Sequence, residues 1–194
     1  MPESLNRYDT QALHMINDRA VPDRRTCLEL IAASDMLPHI RQHSLAVCRV
    51  AVTLARCLNE HEGRYNIAEI EAAALLHDIT KTRSLSTGEN HSLSGAATVA
   101  AWGYHGVADI IRQHVTPDSR GGCISAAEIV SYADKRVLHD RVVTLQERFE
   151  YLKTRYGKSP GDMRRIDAAR ERTEMIEQRI AGMLPGGIPQ EFIS

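Results

Sequence analysis

Three things are scarce in this chain, and each scarcity removes a class of function. Net charge is nearly absent: 24 Lys and Arg against 25 Asp and Glu leave −1 at pH 7. Such a balance gives no electrostatic reason for binding nucleic acid or an anionic membrane. Cysteine is sparse and unpatterned, since Cys27, Cys48, Cys57 and Cys123 form no CxxC pair. That excludes a zinc ribbon and a disulfide framework, and it fits small core residues in a reducing compartment. Long apolar runs are missing too, so no segment reaches the length of a membrane span, and MPESLNRYDTQ has no basic end followed by an apolar stretch. A cytoplasmic protein is expected. Strand-like alternation of useful length and internal repeats are also lacking. With 194 residues and 43% hydrophobic content, the chain is long enough to bury a core as one domain with a C-terminal extension.

What remains is helix. A short helix is expected over residues 8–19 and a second over 23–35, with Pro22 suited to its first turn. Pro38 opens a longer helix that fades at Glu62-Gly63, with Ile40, Val47, Val50, Leu54 and Leu58 on one face. His43 lies on that face. In 67–79, Ile70, Ala73 and Ala74 lead to His77, and Asp78 sits about 100° further round the helix. The stretch TKTRSLSTGEN reads as a polar loop, followed by helices over 92–104 and 107–114; TPDSRGG reads as a second loop. Val107, Ile110 and Ile111 form an inward stripe beside His114, as do Ala127, Val130 and Val137 beside Asp134.

Taken singly, each histidine is more often a core residue bonded to a carbonyl than a metal ligand. The His-Asp pair is weak by itself, because nine His and eleven Asp in 194 residues give about half an occurrence by chance. The second pair, His139-Asp140, carries no weight of its own. The ordered set His43, His77-Asp78, His91, His114, Asp134 is different, since independent core histidines have no reason to be joined by inward aspartates. A buried unpaired carboxylate costs several kcal/mol, and a bound cation removes that cost. The set therefore reads as a metal site inside a helical bundle.

The runs HSLAVCRVAVTLA, AALLHDITK, ENHSLSGA, IIRQHV and EIVSYADKRV resemble the HD superfamily of metal-dependent phosphohydrolases, particularly its HDIG-type members, over about residues 25–157. The resemblance implies an all-α HD-domain helical bundle. It implies that His43, His77, Asp78 and Asp134 hold the primary metal. It also implies that His91 and His114 hold a second metal or the substrate, and that Lys81 anchors phosphate. The motif reads HDIT where many relatives read HDIG, and a single His at IIRQHV leaves the metal number open. His39, one turn before His43, is an alternative ligand.

Imidazole and carboxylate ligands together suit Mn²⁺, Fe²⁺, Co²⁺, Ni²⁺ or Zn²⁺, as one or two ions per chain. The expected activity is hydrolysis of a phosphate ester, in a nucleotide, by metal-activated water, with Asp78 and Lys81 catalytic. Alternatives are a dinuclear-iron oxygenase of the same superfamily, a non-catalytic nucleotide sensor, and a structural metal in an interaction module. Arg136 and Arg141, near Asp134 in sequence, are the expected phosphate contacts. The expected partner is a small phosphorylated molecule.

The C-terminal third has two further stripes. Leu138, Val142, Leu145, Phe149, Leu152 and Tyr156 form one; Ile166, Ala169, Thr173, Ile176 and Ile180 form the other, and Gly157 to Gly161 lies between them. These predict a C-terminal helical hairpin. An HD-type domain over 1–157 and a helical extension over 158–194 follow, the extension packing on its own domain or on a second copy as a homodimer.

Overall fold

The computed structural model describes residues 20–119 and 121–189 of the chain. The helix expected over 8–19 lies outside them. Helix α1 spans Arg24–Ala33; Asp23 is its cap, accepting from the Thr26 N–H at 2.7 Å. Pro22 therefore stands just before the cap, not in the first turn. Helix α2 spans Pro38–Glu62, with Pro38 in its first turn and Gly63 closing it at φ 62°. That left-handed turn is open to glycine at little cost.

Helix α3, Ile67–Leu76, is the centre of the bundle. Its Ile70, Ala72, Ala73, Ala74, Leu75 and Leu76 are all buried, and it packs against α1, α2 and two later helices, α6 (His105–Gln113) and α7 (Ala126–Lys135). The run from Ala72 to Leu76, apolar on every side, belongs in a core. The polar stretch after it is not all loop: α4 occupies Lys81–Thr87 and ends at Gly88, φ 73°. None of its residues is buried, so no apolar stripe announces it. Helix α5 (His91–Ala101) is capped by Asn90, α6 covers His105–Gln113, and α7 covers Ala126–Lys135. Ser125 and Glu128 cap α7 reciprocally.

The stripe from Leu138 to Tyr156 is not one helix. Val137–Leu138 (β1) pairs antiparallel with Arg141–Val142 (β2), Val137 opposite Val142, and His139 turns the chain at φ 58°. Two-residue strands are too short to show alternation. Helix α8 then runs Leu145–Tyr156 and α9 runs Pro160–Met183. A side chain at Gly157 would collide with the Met163 sulfur and the Lys153 carbonyl, which explains the residue at that turn. Helix α9 packs on α7 and α8, burying Thr173, Ile176 and Ile180. The fold is thus all-α, with one minimal ribbon among the described residues. Among the described residues no helix is long and apolar enough to cross a membrane.

Candidate metal centre

The site is built largely from helix ends. His43 sits in the second turn of α2, His77 caps the C-terminus of α3 with Asp78 next, His91 begins α5, His114 caps the C-terminus of α6, and Asp134 lies in the last turn of α7. Three of the imidazoles are fixed in the same way, by donating Nδ1–H to a main-chain carbonyl. His77 donates to Ala74 at 2.8 Å, His114 to Ile111 at 2.7 Å and His43 to His139 at 2.9 Å. Each Nε2 is then left as a bare lone pair, the tautomer a metal ligand needs.

Those lone pairs converge on carboxylates. His43 Nε2 is 2.9 Å from Asp134 Oδ1, and His77 Nε2 is 3.6 Å from Asp78 Oδ2 and 3.9 Å from Asp134 Oδ1. Asp78 Oδ1 lies 3.3 Å from His91 Nε2 and 3.9 Å from His114 Nε2. Two acceptors face each other stably only with a proton or a cation between them. His77 Nε2 and Asp78 Oδ1 are buried with no hydrogen bond, an arrangement that otherwise costs desolvation without return. Among the described residues, two groups place one donor atom per residue within 4.8 Å of one another: His43, His77 and Asp78, and Asp78, His91 and His114. Asp78 belongs to both. The residues present fit a divalent ion by donor type, convergence and orphaned atoms.

Protonation favours the same use. Burial pushes the Asp78 carboxyl up, but His77, Lys81, His114 and His91 outweigh it and hold it at about 2. Burial also opposes ionisation of Asp134, yet Lys135, His43 and Arg148 keep it well below the usual carboxylate range. Burial lowers His91 to about 4 despite the pull of Asp78, and lowers His114 to about 3, with His77 adding to it. At neutral pH these groups are therefore ionised carboxylates and neutral imidazoles, ready to ligate.

A cavity of about 420 Å³ opens onto this cluster. His43, Asp78, Lys81, His91, His114 and Asp134 all line it, while His77 lies wholly buried behind them. Lys81 Nζ stands 3.3 Å from His91 Nε2. His39 also lines the cavity, but it is His43 that joins the ligand groups among the described residues. The two arginines expected to hold phosphate are elsewhere. Arg136 is buried, donating to Tyr132 Oη at 2.6 Å, Glu177 at 3.2 Å and the Val143 carbonyl at 2.8 Å. Arg141 is exposed on β2 and does not line the cavity. Lys135, Arg148 and Arg155 line it instead, with Tyr151 and His139. Lys135 Nζ lies 2.5 Å from Asp134 Oδ2. The His139-Asp140 pair, given no weight in the sequence, makes the turn whose carbonyl orients His43.

The solved structure of a predicted HD superfamily hydrolase from an uncultured Thermotogales bacterium is 20% identical to this chain, covering 92% of it and 98% of that chain, with a TM-score of 0.49. No curated protein matches. The family model for the HD domain matches residues 40–152, a span of more than half the chain that contains His43, His77, Asp78, His91, His114 and Asp134. By that match and by the cluster it encloses, the chain belongs to the HD domain family.

Proposed function

We propose that the protein is a metal-dependent phosphohydrolase acting on a phosphate ester of a nucleotide. The observation that carries this reading is a buried carboxylate, Asp78, shared by two sets of side chains able to ligate a metal, in a cavity also lined by Lys81, Lys135, Arg148 and Arg155. A cationic wall around a metal-ligating floor suits an anionic substrate. His43, His77, Asp78 and Asp134 would hold one ion; Asp78, His91 and His114 would hold a second or contact the substrate. A divalent transition ion supplies Lewis-acid stabilisation of phosphoryl oxygens and makes water a stronger acid.

The remaining chemistry belongs to the side chains. A carboxyl held at about 2 is a weak base, so Asp78 orients the attacking water and does not retain its proton. Lys81 brings a positive charge to the cavity beside His91, where negative charge grows on the phosphoryl oxygens. Cys27 and Cys48, buried as free thiols, support a reducing, cytoplasmic setting.

The test is release of orthophosphate from a panel of nucleotides with each of Mn²⁺, Fe²⁺, Co²⁺, Ni²⁺ and Zn²⁺. Asp78→Ala should fall to the background rate with helical content unchanged; retained turnover would overturn the assignment. The sharing of Asp78 also favours a second reading, a dinuclear iron site that cleaves bonds with O₂. Turnover that persists without oxygen excludes it.

A further inference from the structure

We propose that the cavity-facing side of α8 is the substrate-binding wall, on which Arg148 takes the phosphate and Tyr151 the base of a nucleotide. The inference rests on the phosphohydrolase reading and deepens it.

Arg148 is a cation with donors to spare. Its side chain is only 14% exposed, and its Nε is buried with no hydrogen-bond partner. Its Nη2 lies 3.9 Å from Asp134 Oδ1, too far for a hydrogen bond. Asp134 Oδ2 is already engaged by Lys135 at 2.5 Å, and Oδ1 faces His43 Nε2 at 2.9 Å. A guanidinium so far removed from water needs an acceptor, and the cavity it lines is where one fits. Its planar fork matches two oxygens of a phosphate. Arg136, by contrast, is already bonded to Tyr132, Glu177 and Val143.

The same helix face continues at three- and four-residue steps through Tyr151, Leu152, Arg155 and Tyr156, all lining the cavity. Tyr151 is about 4.5 Å along the axis from Arg148 and Tyr156 about 12 Å. The Tyr151 ring is steadied edge-on against His139, with centroids 5.5 Å apart. Tyr156 and Leu85, which also line the cavity, are 55% and 66% exposed. A phosphate anchor followed by an aromatic ring and an uncovered apolar rim is complementary to a phosphate joined to a flat base.

The experiment is calorimetric titration of the metal-loaded protein with orthophosphate, ribose 5-phosphate and the best-bound ribonucleoside 5′-monophosphate, with metal content measured in every variant. Arg148→Met should weaken orthophosphate about ten- to hundredfold, the loss of charge-assisted hydrogen bonds, with metal content unchanged. Arg148→Lys keeps the charge without the fork and should fall between, which preserves the test if the Met variant folds poorly. Tyr151→Leu should weaken the nucleoside monophosphate about tenfold while leaving ribose 5-phosphate within about twofold. Wild-type affinity for orthophosphate in Arg148→Met, or loss of phosphate binding only in proportion to lost metal, would overturn the anchor. Equal affinity for ribose 5-phosphate and nucleotide in the wild type would overturn the base contact. Intact binding of this pattern without hydrolysis of any ester would count for the wall and against the hydrolytic reading.

Discussion

His43, His77 and His114 each give the Nδ1 proton to a main-chain carbonyl, so which ring nitrogen each turns towards the carboxylates is settled before any ion arrives. The cost of holding imidazoles neutral in a buried site shows in the pH dependence of stability. His91 titrates near 4 and His114 near 3 in the folded chain, against an ordinary 6.5. Between those values the unfolded chain binds more protons, so acid favours unfolding; Asp78, held at about 2, adds the same sign below the ordinary 3.8. The stability is fully present above pH 6.5 and is lost as pH falls through the folded values. Thermal unfolding of metal-free protein should therefore shift to lower temperature from about pH 6.5 towards pH 4. A midpoint that is flat or rises over that range would contradict the assigned protonation. The candidate ligands were legible because His43, His77, His114 and Asp134 interrupt apolar stripes. Arg148 was not, because a charged residue facing a cavity reads in sequence like one facing solvent. Arg136 misled through proximity: two residues beyond Asp134 is about 200° round a helix, which turns it to the far side of α7.

Helix boundaries place the candidate ligands more than helix faces do. His77 and His114 both close helices, and His91 opens one, so the chain turns at the points where the site needs new directions. Pro38 and Gly63 made α2 readable, and the Gly157–Gly161 break made the hairpin readable. Helix α4 and the β1–β2 ribbon escaped, the first for want of an apolar stripe and the second because two residues cannot show a period. The C-terminal end of α7 is tied to α9 by Arg136, Tyr132 and Glu177, and its start by Glu128 with Arg179. Arg136→Met should consequently lower unfolding stability by about 2 kcal/mol, the cost of leaving Tyr132 and Glu177 without their cation. Metal content and turnover per folded molecule should stay as in the wild type. Urea denaturation alongside activity measures both, and unchanged stability with lost turnover would return Arg136 to the site.

Across the whole molecule, the site joins segments far apart in the chain: His43 and Asp134 meet across 91 residues, and α8 closes the cavity from beyond the ribbon. The sequence announced the bundle and its inward His/Asp set, yet it could not say which wall of the cavity the C-terminal hairpin supplies, because that depends on how α8 is aimed after β2. An ion held by residues from several helices would also hold those helices together. The claim on which everything else depends is that these side chains bind a metal. Elemental analysis of protein purified without chelator or nickel affinity, with Asp78→Ala beside it, tests this most directly. About one or two equivalents of a transition metal per chain are expected in the wild type, with loss in the variant at unchanged helical content. Absence of metal from both proteins, even after incubation with Mn²⁺ or Fe²⁺, would contradict it.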